Sequence, residues 1–84
     1  MNPTGTGLIR LQEAFVQAIG VAPDCDFESI AYGSTRGWDS TAHMTLVAEI
    51  EVTFDIMLSS EEVIDLSSFA KAREIVSRHG AELD

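Results

Sequence analysis

The chain has 84 residues, with 5 Lys+Arg against 14 Asp+Glu and a formal charge of −9. That length holds one domain with one modest core, and 45% hydrophobic with 23% charged residues is a globular composition rather than a disordered one. The acidity argues against nucleic acid or an anionic membrane as partner, since both need a basic footprint, and favours a protein with a basic docking surface.

Residues 1–7 (MNPTGTG) are rich in Gly, Pro and Thr and read as a flexible leader. A folded domain is expected over 8–80 and a flexible tail over 81–84. Leu8, Leu11, Phe15, Ala18 and Ile19 recur at helical spacing and predict an amphipathic helix over Leu8–Ile19, stopped by Gly20. From Val21 to Trp38 the periodicity is lost. A loop of that length in so small a domain is more often functional than idle, and Phe27, Ile30 and Tyr32 are its means of attachment to the helices. Asp39 or Ser40 opens a second helix, with Asp39 able to cap the first turn. This helix runs to about Phe54 on the stripe His43, Val47, Ile50 and Phe54, with Leu46 beside it.

After a connection over Asp55–Leu58, Ser59-Ser60-Glu61-Glu62 starts a short helix, with a hydroxyl cap followed by first-turn carboxylates. Val63, Ile64 and Leu66 are its apolar side. Ser67 or Ser68 caps a last helix, roughly Phe69–His79, with Phe69, Ala72, Ile75 and Val76 inward and Gly80 at its end. No stretch alternates as a strand does. The expectation is an all-α, four-helix bundle of three principal helices and one short one, with a long first loop.

A single cysteine, Cys25, excludes an internal disulfide and a thiolate-cluster metal site. No basic-then-apolar leader and no run of membrane-spanning length is seen, so the expected location is cytoplasmic. Charge is uneven. Asp39, Glu49, Glu51 and Asp55 lie in a stretch without Lys or Arg, while the last helix carries Lys71, Arg73 and Arg78 against Glu74.

The informative feature is Gly37-Trp38-Asp39-Ser40. A serine directly after an acid stands at a loop-to-helix junction, where backbone N–H groups and the positive end of the helix dipole favour a phosphate. The same dipeptide is also ordinary capping chemistry. Its setting adds to it. The stretch GWDSTAHMTLVAEIEVTFDI, followed by a short acidic helix and a final amphipathic one, resembles the acyl carrier protein superfamily, which includes peptidyl carrier domains. The likeness runs from Leu8 to about His79. It rests on the Asp-Ser pair at the start of the second helix, the Val47/Ile50 face, Glu51 and Phe54.

The resemblance implies that Ser40, with Asp39 beside it, is the attachment point of a 4′-phosphopantetheine arm derived from coenzyme A. A phosphopantetheinyl transferase would install it. The arm's thiol would hold an acyl or aminoacyl thioester for loading and downstream enzymes of fatty acid, polyketide or nonribosomal peptide synthesis. The chain itself would then be a monomer and no enzyme. The resemblance also implies docking through the second helix, by Thr41, Met44, Ala48, Glu49, Glu51 and Asp55. Two positions depart from the pattern: Thr41 replaces a large aliphatic residue, and Val52 stands where fatty-acid carriers often have an acid. Trp38 and His43-Met44 look more like a stand-alone carrier of a specialised pathway.

Other residues have plainer readings. Trp38 is a loop anchor, His43 a packed helix residue, and Met44 and Met57 gap-filling core residues. Flanking acids disfavour a Cys25 thiolate. Asp24, Asp26 and Glu28 lack the spacing of a calcium loop. Ser40 does not stand in a G-x-S-x-G hydrolase elbow. Phe54, taken as core, is expected to cost about 3–5 kcal/mol on truncation to Ala. The alternative to a carrier is a non-enzymatic acidic helical adaptor that binds a basic protein.

Overall fold

A computed structural model describes residues 6–81 and 83. The order is α1 (Thr6–Ile19), a 3₁₀ turn (Phe27–Ser29), α2 (Ser40–Phe54), α3 (Ser60–Asp65) and α4 (Phe69–Arg78). Among the described residues there is no strand, only an isolated antiparallel bridge between Ala31 and Ser68. The all-α architecture is the expected one, three principal helices and a short one. Helix α1 starts at Thr6, two residues ahead of the expected start, so only residues 1–5 of the leader lie outside the described residues, as do 82 and 84 of the tail. Ala81 and Leu83 pack against the core, and the Leu83 carbonyl accepts from the Leu8 N–H at 3.1 Å.

Each of the starts of α2, α3 and α4 is set by a side chain. Asp39 accepts from the Ala42 N–H, Ser68 from the Lys71 N–H, and Ser59 from the Glu62 N–H while Glu62 returns the bond to the Ser59 N–H. These caps satisfy donors that a helix leaves orphaned. Helix α2 ends where Asp55 turns left-handed, φ 55°, and its N–H closes onto the Glu51 carbonyl. An acid is one of the few residues that tolerates that conformation.

The core is one cluster. It takes Leu11, Ala14, Phe15 and Ile19 from α1, Leu46, Val47 and Ile50 from α2, and Phe69, Ala72, Ile75 and Val76 from α4. Leu58 and Leu66 close it beside α3. The long loop joins this core as expected: Phe27 and Ile30 are buried and Trp38 is only 2% exposed. An aromatic column links these pieces. Phe27 meets Phe69 at 5.1 Å, Phe69 meets Phe15 at 5.0 Å, and Phe15 meets Trp38 edge-to-face at 5.5 Å. The column nails the loop to α1 and α4 at once.

Backbone bonds finish the job. The Tyr32 N–H donates to the Ser67 carbonyl and the Phe69 N–H to the Ile30 carbonyl. Gly37 has φ +90°, and a Cβ there would stand 2.7 Å from the Ile19 carbonyl oxygen. Only glycine lets the loop pass this close to the end of α1. The next three residues, Trp38 to Ser40, are therefore delivered to a fixed place.

Some expected inward residues face out. Ile64 is 82% and Met57 81% exposed, and Met44 is 58% exposed. The two methionines are thus surface residues rather than gap fillers. Helix α3 has under two turns, too few for periodicity to decide its buried face, and Leu66 and Val63 turn inward while Ile64 does not. Phe54 is half-buried with the Arg10 guanidinium over its ring at 5.5 Å, so the full core cost expected for it is corrected downward. Phe15→Ala should lower the unfolding free energy by about 3–5 kcal/mol, and Phe54→Ala by about 1–2 kcal/mol in proportion to the area it hides. Urea denaturation of the two variants against the parent checks this order.

Candidate functional site

The N-terminus of α2 gathers the residues that matter. Asp39 is its N-cap, extended at φ −106° and ψ −172°, with its Oδ1 accepting the Ala42 N–H at 2.9 Å. The first helical bond runs from the His43 N–H to the Asp39 carbonyl at 2.8 Å. Ser40 is the first helical residue and is exposed. Its Oγ has no hydrogen-bond partner among the described residues. Neither the Ser40 nor the Thr41 N–H has an intrahelical partner, as the geometry of a first turn requires. The hydroxyl therefore projects into solvent at the positive end of a 15-residue helix.

This is suitable ground for a covalently attached phosphodiester. Unpaired N–H groups at the start of a helix favour an anion beside them. The neighbouring Asp39 carboxylate is exposed and already engaged in its cap, and a covalent link does not depend on winning affinity against its charge. The expected attachment residues, Ser40 and Asp39, thus lie together at one accessible tip.

Behind the tip is a feature that sequence spacing alone misses. The Trp38 indole N–H donates to His43 Nδ1 at 3.0 Å, and His43 Nε2 lies 2.8 Å from the Val63 carbonyl oxygen. Indole can only donate and a carbonyl can only accept. The imidazole is therefore neutral with its proton on Nε2, accepting on one side and donating on the other. Its ring lies nearly coplanar with Trp38, the planes 21° apart and the centroids 6.0 Å apart, and Tyr32 sets an edge against both rings. His43 is a packed helix residue as expected, and it also ties α2 to the loop and to α3. The one signal in the sequence is that a buried Trp N–H needs an acceptor, with His43 less than two turns away.

The expected docking residues divide. Thr41, Met44 and Ala48 are exposed along one face of α2, which continues to Val52 at 82% exposure. Asp55 is exposed at its end. Glu49 is half-buried and turns toward α1, lining a groove with Arg10, Glu13, Gln17 and Thr53. Glu51 is half-buried with its Oε2 accepting the Leu58 N–H at 2.9 Å, so it secures the α2–α3 connection. The outer face of α2 is consequently less acidic than the sequence suggests and more apolar.

Several acids elsewhere are occupied. Glu28 pairs with Arg73 at 2.6 Å, and Asp65 and Glu74 share Lys71 and Arg78. Asp26 accepts the Glu28 N–H as the cap of the 3₁₀ turn. The Cys25 thiol is pushed above its usual range by burial first, then by Asp24 and Asp26. Among the described residues no helix is long and apolar enough to cross a membrane, and no three metal-ligating side chains converge. Comparison with protein-family models, curated proteins and solved structures found no match.

Asp39→Ala should cost about 1 kcal/mol as the loss of a cap, whereas Ser40→Ala should stay within about 0.5 kcal/mol because its hydroxyl bonds nothing; thermal melts of the two variants compare them. The Glu62 carboxyl is held below the usual carboxylate range by the Ser59 N–H, and next by its bond to His79, whose Nε2 lies 2.9 Å away. A folded-state value below the unfolded one adds stability that is present above about pH 4.3 and lost as pH falls through the depressed folded value. Between pH 6 and 3 the wild type should therefore lose melting temperature more steeply than Glu62→Gln.

Proposed function

We propose that this chain is a carrier protein, holding an acyl or aminoacyl group on a 4′-phosphopantetheine arm attached to Ser40. The observation that supports the reading best is the Ser40 hydroxyl, exposed and unengaged at the capped start of α2, with two unpaired backbone N–H groups beside it. The chain supplies an anchor and a docking face. The reactive sulfur belongs to the arm, which when attached carries its cargo as a thioester.

Attachment is a transfer of phosphopantetheine from coenzyme A by a separate transferase. The Ser40 oxygen attacks the phosphorus that bears the pantetheine. The new O–P bond forms as the pyrophosphate link breaks, adenosine 3′,5′-bisphosphate leaves, and the hydroxyl proton passes to a base on the transferase. No catalytic group of this chain is required. Tethering then raises the local concentration of cargo at each docked enzyme.

Docking falls to the exposed face of α2. Thr41, Met44, Ala48 and Val52 offer apolar and hydroxyl contacts, and Asp55 at the end of α2 adds charge. A partner with an apolar patch beside basic residues fits this surface. The net charge of −9 steers such an encounter without having to hold it.

Intact-mass spectrometry after incubation with coenzyme A and a broad-specificity phosphopantetheinyl transferase tests the reading. The wild type should gain one phosphopantetheinyl group and Ser40→Ala none. No gain, or a gain that survives Ser40→Ala, overturns it and leaves the acidic-adaptor alternative.

A further inference from the structure

If Ser40 bears the arm, as the carrier reading holds, a group tethered there has a choice between water and the protein interior. One turn along α2 from Ser40 lies a cleft of about 220 Å³ lined by Tyr32, His43, Val63, Ile64, Leu66 and Ser67. Its lining is mostly apolar. The larger groove between α1 and α2 has Ala14, Val16 and Pro23 in its wall but also Arg10, Glu13 and Glu49, whose charges an alkyl chain would have to lie against.

The cleft is barred across its width. His43 belongs to α2 and Val63 to α3, and the 2.8 Å bond between Nε2 and the Val63 carbonyl joins the two helices that would have to part. The other imidazole nitrogen holds the Trp38 N–H at 3.0 Å, and Trp38 is buried, nearly coplanar with His43 and set edge-on to Phe15. Letting a chain pass would break both bonds of the half-buried imidazole and leave the buried Trp38 N–H without its acceptor. An indole N–H left unpaired away from water costs far more than its bond contributes when made. Leu66, 1% exposed, closes the inner end.

We infer that the Trp38–His43–Val63 bridge is a specificity-determining barrier that keeps the carried group outside the helices, an assignment that rests on Ser40 being the arm's anchor. The chain then favours cargo that is at ease in water, short, polar or aminoacyl, over long alkyl chains. Trp38 and His43 act by position and touch no reacting atom.

The test has two arms. On the unloaded chain, nitrogen-15 spectra of the imidazole should show His43 protonated at Nε2 alone and accepting at Nδ1; the opposite tautomer overturns the barrier whatever becomes of the arm. The chain is next loaded from acetyl- and octanoyl-coenzyme A by the transferase, with loading verified by mass. Failure to load sinks the carrier reading itself and this inference with it. Once loaded, the two thioesters should react with hydroxylamine at rates within about twofold of each other in the wild type. His43→Ala, and Trp38→Phe, which keeps an aromatic ring but removes the N–H, should slow the octanoyl thioester about tenfold relative to acetyl by admitting the chain. A wild-type octanoyl thioester already slowed to that extent overturns the inference. So does equal reactivity of both thioesters in folded Trp38→Phe, which would leave the barrier unassigned to the bridge.

Discussion

Once the Trp38 ring is buried its N–H must find an acceptor or be stranded, and the rest of this end of the molecule depends on how that demand is met. The acceptor is His43 Nδ1, and accepting there fixes the imidazole proton on Nε2, which in turn needs the Val63 carbonyl. One indole thus sets the tautomer of a histidine, the distance between α2 and α3, and the end of an 18-residue irregular stretch from Val21 to Trp38. Asp39 and Ser40 come immediately after it. Their position at the tip of α2 is inherited from the anchoring of Trp38 against Phe15 and from Gly37, which alone can pass the Ile19 carbonyl.

Much of this is legible in the sequence because it is local. Capping chemistry at Asp39, Ser59 and Ser68 needs only the identity of a residue and its next three neighbours, and the helices of ten or more residues carry enough turns for their apolar stripes to be counted. Ser40 stands out for the same reason. What escapes depends on distant partners. Glu51 looks free until Leu58 is placed beside it, and Glu49 looks outward until α1 is laid against α2. His43 reads as another member of a stripe unless one knows that α3 presents a bare carbonyl to it. Helix α3, with six residues, cannot declare its own face, and Ile64 lies on the side opposite to the one its neighbours suggest.

The distribution of charge changes character between sequence and fold. Lys71, Arg73 and Arg78 are spent on Asp65, Glu74 and Glu28, some of them near in the chain and one far away in the long loop. Such exposed pairs contribute little to stability. Their effect is on the surface that remains: positive charge on α4 is cancelled in place, and α2 keeps an outward strip of Met44, Ala48 and Val52 edged by acid at one end. A net charge this negative also works against two copies meeting through that strip.

The bond from the Leu8 N–H to the Leu83 carbonyl has a consequence for architecture on a larger scale. It brings the first turn of α1 and the last described residue to a common pole. A segment entering at Leu8 and one leaving at Leu83 therefore meet at one pole, so neighbouring modules need no connector long enough to wrap the bundle. A unit built this way can be slotted into a longer assembly much as a bead is threaded, without disturbing how the serine at the head of α2 is offered.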